Sequence, residues 1–150
     1  MTLLLRRAEV DGRVGTMLGR SRWLTVTQEM IHDFGVLTHD EQWIHLDVER
    51  AQREMGGTIA HGFLTLSLLS TLVAEIWTFE KTTRAFNYGF NKLRFPASVS
   101  AGARIRLVET LVKFEDRGET VLLTRDIAVE IEGAQKPAIA GEWIALLYVD

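Results

Sequence analysis

Gly62-Phe63-Leu64-Thr65-Leu66-Ser67-Leu68-Leu69-Ser70-Thr71-Leu72-Val73-Ala74-Glu75-Ile76-Trp77 is the stretch that decides the fold. Its apolar residues leave no polar face wide enough for solvent, which predicts a helix enclosed on nearly all sides. The run is too short to cross a bilayer and carries Thr65, Ser67, Ser70, Thr71 and Glu75, so it belongs inside a protein core. The chain that follows supplies the wrapping. Residues 83–95, 103–114, 120–131 and 139–149 read as four strands. In the third, Val121, Leu123, Ile127, Val129 and Ile131 point one way and Thr120, Leu122, Thr124, Asp126, Ala128 and Glu130 the other. Only Arg125 and Leu122 break that alternation. Asp116-Arg117-Gly118 and Glu132-Gly133 are hairpin connections, and Pro96 ends the first strand because proline cannot donate to a ladder. With residues 23–26 as an edge strand, the expectation is an α+β fold: a curled antiparallel sheet of about five strands wrapped around one long central helix.

Upstream of that helix the rhythm is helical. Met30, Ile31, Phe34 and Leu37 form a stripe after Thr25 and Thr27, either of which can cap, with Gln28 placed for a capping box on Thr25. Gly35 interrupts the stripe, and His32 falls away from it, as a solvated imidazole would. A second, short helix is expected from an Asp47 cap through Val48 to Met55, stopped at Gly56-Gly57. No repeat or linker divides the chain, so residues 1–150 read as a single domain.

Composition narrows the function. With 47% apolar and 25% charged residues the chain is an ordinary globular one, and disorder is excluded. A net charge of −3 gives no broad basic surface, which argues against a nucleic-acid partner. The absence of cysteine removes disulfides, thiolate nucleophiles and thiolate metal sites. Leu3-Leu4-Leu5 stops at Arg6-Arg7, far short of a secretory apolar core, so the expected location is cytoplasmic, with no membrane association.

The densest titratable cluster is Thr38-His39-Asp40-Glu41-Gln42-Trp43-Ile44-His45, which reads as an irregular segment between helices, where functional groups concentrate. Seven Asp and four His predict about 0.2 Asp-x-x-x-x-His pairs by chance, so spacing alone is weak evidence. On its own, the pair reads more readily as a loop carboxylate capping a helix and a histidine satisfied by backbone than as a catalytic pair. The segment Gly56-Gly57-Thr58-Ile59-Ala60-His61-Gly62 adds context, because it opens the apolar helix. Unpaired N–H groups collect there, and Gly62 has no side chain to shield its own. His61 reads as structural, its ring bonded to a backbone carbonyl. A metal site on His39, His45 and His61 lacks the i, i+4 spacing of a helical zinc pair, so no metal is expected. Lys92 and Arg94 read as solvated strand residues.

These segments together resemble the MaoC-like dehydratases, a hot-dog family that includes the R-specific enoyl-CoA hydratases. The family's hydratase motif, approximately Gly-Asp-x-Asn-Pro-aliphatic-His, is matched by His39-Asp40-Glu41-Gln42-Trp43-Ile44-His45, with Ala51 at a small-residue position. Ile59-Ala60-His61-Gly62-Phe63-Leu64 is similar to the segment leading into the central helix. The run from Asn87 to Pro96 is similar to a strand of one subgroup, which also resembles nodulation protein N. His39, Gln42 and Trp43 depart from glycine, asparagine and proline, and none of these changes removes a proton-transfer group.

The resemblance implies reversible addition of water to trans-2-enoyl-CoA, an (R)-specific hydratase or 3-hydroxyacyl thioester dehydratase. Asp40 and His45 would hold and activate the water, and the Gly62 N–H would stabilise the thioester oxygen. Gln42, Trp43, Phe63 and Tyr88 are candidates for contact with substrate. No cofactor is implied, since the CoA or acyl-carrier thioester is itself the substrate, and the assembly implied is a homodimer. The alternatives are a hot-dog thioesterase and a non-catalytic acyl-thioester-binding protein.

Overall fold

A computed structural model describes all 150 residues. The chain begins with strand β1 (Leu3–Leu5), a short 3₁₀ turn at Val10–Arg13, strand β2 (Met17–Arg20) and strand β3 (Leu24–Thr25). Helix α1 (Gln28–Thr38) follows. Thr27 is its cap, with the side-chain oxygen accepting from the Met30 N–H and so satisfying one of the helix's free donors. Thr25 lies in β3, so the capping box expected there does not form. The Gln28 side chain instead donates to the His45 carbonyl at 2.8 Å and accepts from the Thr58 hydroxyl. Ile31 and Gly35 form the buried face of α1, while Leu37 is 79% exposed. At about 100° per residue Leu37 stands well round the helix from Ile31, outside the stripe expected for it.

Two short helices come next, α2 (Trp43–Leu46) and α3 (Val48–Met55). The second is as expected: the Asp47 side chain caps it at the Arg50 N–H, and Gly56 closes it at φ 83°, where glycine is favoured. The first corrects the reading of Asp40 to His45 as wholly irregular, because His45 stands on a helical turn.

The central helix is also corrected, in two ways. It is broken into α4 (Gly62–Ser67) and α5 (Leu69–Val73), and the Ser67 hydroxyl bonds back to the Phe63 carbonyl at 2.7 Å, a contact that bends helices. It also buries one face only. Leu64, Leu69 and Leu72 pack into the core, contributing about 1.5–3 kcal/mol each. Phe63, Ser67, Ser70 and Thr71 face outward. Beyond Val73 the chain turns into strand β4 (Trp77–Phe79), which pairs in parallel with β1.

The main sheet contains β5 (Thr82–Arg94), β6 (Arg104–Asp116), β7 (Thr120–Ile131) and β8 (Ile139–Val149), in the order β2-β6-β7-β8-β5, with β3 also on β6. That makes six strands rather than about five. The addition is β2, which is short and carries a register shift at Gly19 that hides its alternation. All neighbours are antiparallel, but β5 crosses over to β8 instead of pairing with β6. Inward-facing Ile105, Leu107, Leu111, Val121, Leu123, Ile127, Val129 and Leu147 form the core against the helix. The two breaks in the β7 pattern have structural counterparts. Leu122 is buried on the other face, and Arg125 points into the core, 1% exposed, where it meets the buried Glu109.

Candidate active site

Three polar side chains converge where α1, α2 and α4 meet. The ligand atoms of Asp40, His45 and His61 lie within 4.8 Å of one another, with both histidines buried and Asp40 half-buried. Gly35 on α1 makes the approach possible. A methyl group there would stand 3.0 Å from the Asp40 carbonyl, 3.3 Å from Leu46 and 3.4 Å from His61. The glycine that interrupts the α1 stripe is therefore a close-approach residue.

Hydrogen bonding fixes which nitrogens are free. His45 Nδ1 lies 2.6 Å from the Ile59 carbonyl. A carbonyl only accepts, so Nδ1 carries the proton and Nε2 of the neutral ring presents a lone pair. His61 Nε2 donates to the Asp40 carbonyl at 2.8 Å by the same logic, which leaves its Nδ1 buried and without a partner. The two imidazoles stack, centroids 3.8 Å apart and planes 26° from parallel. The Asp40 carboxylate accepts from Gln42 Nε2 at 3.0 Å and retains further acceptor positions.

The three groups are close enough to invite a divalent cation, but their donor directions do not converge. Imidazole lone pairs lie in the ring plane, and two nearly parallel stacked rings share no point about 2.1 Å along both. His39, the third member of the sequence-level metal trio, is exposed at the C-terminus of α1 with φ 59°.

Beside His45 lies a small cavity of about 160 Å³, lined also by Gly62, Thr65, Phe95, Val99 and Ala138. The Leu64 and Thr65 N–H groups return to the His61 carbonyl, so the ladder of α4 begins after Gly62. Gly62 has a packing reason as well, since a Cβ there would stand 3.0 Å from the Phe95 ring. The structure thus puts Asp40 beside His45, with Gln42 bonded to the Asp40 carboxylate, and His45 and Gly62 on one cavity wall; Asp40 and Gln42 do not line that cavity. Trp43, Phe63 and Tyr88 do not line this cavity. Trp43 is half-buried under the Arg50 guanidinium at 4.2 Å, Phe63 is exposed and packs edge-on against Phe95, and Tyr88 is exposed on β5. Phe95, Thr65 and Ala138 escaped the sequence reading, and only Phe95, beside the strand-ending Pro96, carried any signal.

3-hydroxyacyl-thioester dehydratase Z of Mycobacterium tuberculosis is 46% identical over 139 residues, covering 91% of this chain and 92% of that protein. Nodulation protein N of Rhizobium leguminosarum bv. viciae is 42% identical over 150 residues, covering 97% and 93%. Among solved structures, an (R)-hydratase from A. caviae involved in PHA biosynthesis superimposes with a TM-score of 0.67 at 22% identity, over 88% of this chain and 94% of that one. The shared architecture is the hot-dog fold. The MaoC like domain family matches residues 9–131, most of the chain, and the protein therefore belongs to that family.

Proposed function

We propose that this protein is an (R)-specific enoyl thioester hydratase that also runs in reverse as a 3-hydroxyacyl thioester dehydratase. The observation that carries the reading is the Asp40 carboxylate and the His45 imidazole within 4.8 Å, with the His45 tautomer set by the Ile59 carbonyl. That gap suits one water molecule hydrogen-bonded to both. His45 Nε2 takes a proton from this water as its oxygen bonds to the β-carbon of the enoyl group. Asp40 accepts a hydrogen bond from the water's other O–H, which stays on oxygen as the product hydroxyl, and stabilises the imidazolium; His45 then gives the proton it took to the α-carbon. The Gly62 N–H, on the wall shared with His45, receives the negative charge that gathers on the thioester oxygen. The net change is addition of H and OH across one double bond, with the thioester intact. No cofactor enters this scheme.

The names of the relatives support the substrate class, a 3-hydroxyacyl thioester carried on CoA or a carrier protein. The reading includes a homodimer. The 13-residue strand β5 pairs only with β8, and its other edge, with Phe86 and Tyr88 exposed, is long and uncovered. No helix is long and apolar enough to cross a membrane. The cytoplasm is the proposed location.

The test follows trans-2-enoyl-CoA substrates by loss of conjugated absorbance, with thiol release measured in parallel. Absorbance loss without thiol, unchanged after dialysis against a chelator, is expected. Thiol release would assign a thioesterase, and saturable binding with neither signal a binding protein.

A further inference from the structure

Gln28, the first residue of α1, spends both ends of its side-chain amide on groups distant in sequence that flank the ring of His45. A carbonyl only accepts, so the 2.8 Å bond to the His45 carbonyl is made by Nε2, and Oε1 faces the Thr58 hydroxyl. That hydroxyl therefore donates, and Thr58 is buried. Thr58 precedes Ile59, whose carbonyl takes the His45 Nδ1 proton at 2.6 Å. The segment around Ile59 is itself fixed. The Ala60 N–H donates to the Val99 carbonyl at 2.7 Å, and the Ala101 N–H to the Thr58 carbonyl at 3.0 Å. The His45 end is held less firmly. Helix α2 has four residues, too few to hold their shape unaided, and one backbone bond ties it to that segment, from the Ile59 N–H to the Ile44 carbonyl at 3.1 Å. A single bond is a pivot. The Gln28 amide supplies a second point, and two points fix the orientation of the turn.

Resting on the hydratase reading, we propose that Gln28, acting with Thr58, is a positioning residue that holds His45 with its proton on Nδ1 and its Nε2 lone pair free for the reacting water. The tautomer of an imidazole follows the hydrogen bonds its nitrogens make, so the distance from the His45 backbone to the Ile59 carbonyl decides which nitrogen carries the proton. The amide sets that distance from both sides, with the His45 carbonyl on its nitrogen and Thr58, next to Ile59, on its oxygen. Without the amide α2 turns about its single bond, the 2.6 Å contact opens, and the ring is free to carry its proton on Nε2 instead. A ring protonated there presents a donor to the water where the reaction needs a base. Gln28 does not line the cavity beside His45, so its effect falls on the reacting step and not on substrate affinity.

The experiment follows hydration of trans-2-enoyl-CoA together with the ring nitrogen shifts of isotope-labelled histidine, at a pH where the His45 ring is neutral. The His45 signals are assigned by their absence in His45→Ala. In the natural protein the proton should sit on Nδ1. Gln28→Leu should lower kcat by about 10-fold or more with KM little changed, and should bring up the form protonated on Nε2. Thr58→Val, which exchanges one hydroxyl for a methyl group, should move both readings the same way, and Thr58→Ser, which keeps the hydroxyl, should regain most of that loss. Natural kcat in Gln28→Leu overturns the inference. So does a lowered kcat with the proton still confined to Nδ1, which would make Gln28 a support of the fold alone. If Gln28→Leu does not fold, Thr58→Val decides by the same two readings. If the natural protein hydrates no enoyl thioester, the hydratase reading fails by itself and the nitrogen shifts decide alone. A second tautomer in Gln28→Leu then sustains the positioning role, and an unchanged one ends it.

Discussion

The imidazole of His61 lies face to face with that of His45, centroids 3.8 Å apart, while its Nε2 holds the Asp40 carbonyl at 2.8 Å. One side chain thus fixes the two groups that would hold the reacting water. It supports the ring of His45 from below and ties down the loop that carries Asp40. His61 touches no substrate in this scheme; it is a positioning residue.

His61→Phe retains an aromatic ring for the stack and removes the bond to Asp40. The carbonyl left without its donor should lower stability by about 1–3 kcal/mol. A loosened Asp40 should lower kcat by about 10-fold or more, since small misplacements of a catalytic group are costly. KM should change little, and the pH dependence of kcat should keep its shape because the titrating groups are unchanged. Thermal unfolding and steady-state hydration check these points. A displaced pH profile would give His61 a proton-transfer role of its own.

Asp40→Asn keeps the side chain's size and an oxygen for the Gln42 amide, and removes the charge. His45→Ala removes the proton acceptor and leaves the Ile59 carbonyl unpaired. Each should reduce kcat by at least about 100-fold, the contribution of general acid-base catalysis. Measured with trans-2-enoyl-CoA, near-normal turnover in either variant would remove that residue from the mechanism.

Much of this site was legible in the sequence, for definite reasons. Asp40 and His45 stood out through the family motif they match and their place just before the glycine-opened helix that begins at Gly62, since their spacing alone is close to chance. The strand Thr120–Ile131 was bounded by turn residues at both ends, Asp116-Arg117-Gly118 and Glu132-Gly133. What escaped depends on contacts distant in sequence. Trp77 read as the end of a helix, yet with Thr78 and Phe79 it pairs in parallel with Leu3 to Leu5 near the start of the chain, which no local pattern reveals. The break at Leu68 comes from a serine hydroxyl competing for a backbone carbonyl, invisible to hydrophobic periodicity. Arg125 did register, as a fault in an otherwise regular strand. Its meaning required Glu109 and Trp77, contributed by other strands.

Gly35→Ala separates packing from propensity. Inside a helix this change normally stabilises by about 1 kcal/mol. Here the new methyl group meets the Asp40 carbonyl at 3.0 Å, a backbone atom that cannot move without carrying the catalytic loop with it. The variant should lose about 1–3 kcal/mol by overpacking and lose activity along with it. Denaturant unfolding and the hydration assay measure the two effects, and a stabilised, fully active variant would show that the loop yields freely.

The Glu109–Arg125 pair predicts a stability that depends on pH. Burial pushes the Glu109 carboxyl above its usual range, and the opposite pull of Arg125 and Trp77 offsets only part of that. The folded protein therefore keeps the Glu109 proton to a higher pH than the unfolded chain does. Between the two values folding takes up a proton, so the contribution of Glu109 is fully present below its unfolded pKa and declines as pH rises through the folded one. The slope for a single proton reaches at most about 1.4 kcal/mol per pH unit. Glu109→Gln matches the protonated carboxyl in size and cannot titrate, so it is the reference that lacks this pH dependence. The stability of the natural protein minus that of Glu109→Gln, measured by urea unfolding from acid to neutral pH, should shrink as pH rises. A difference that grows instead would mean that Arg125 outweighs burial, with the carboxylate form favoured by the fold.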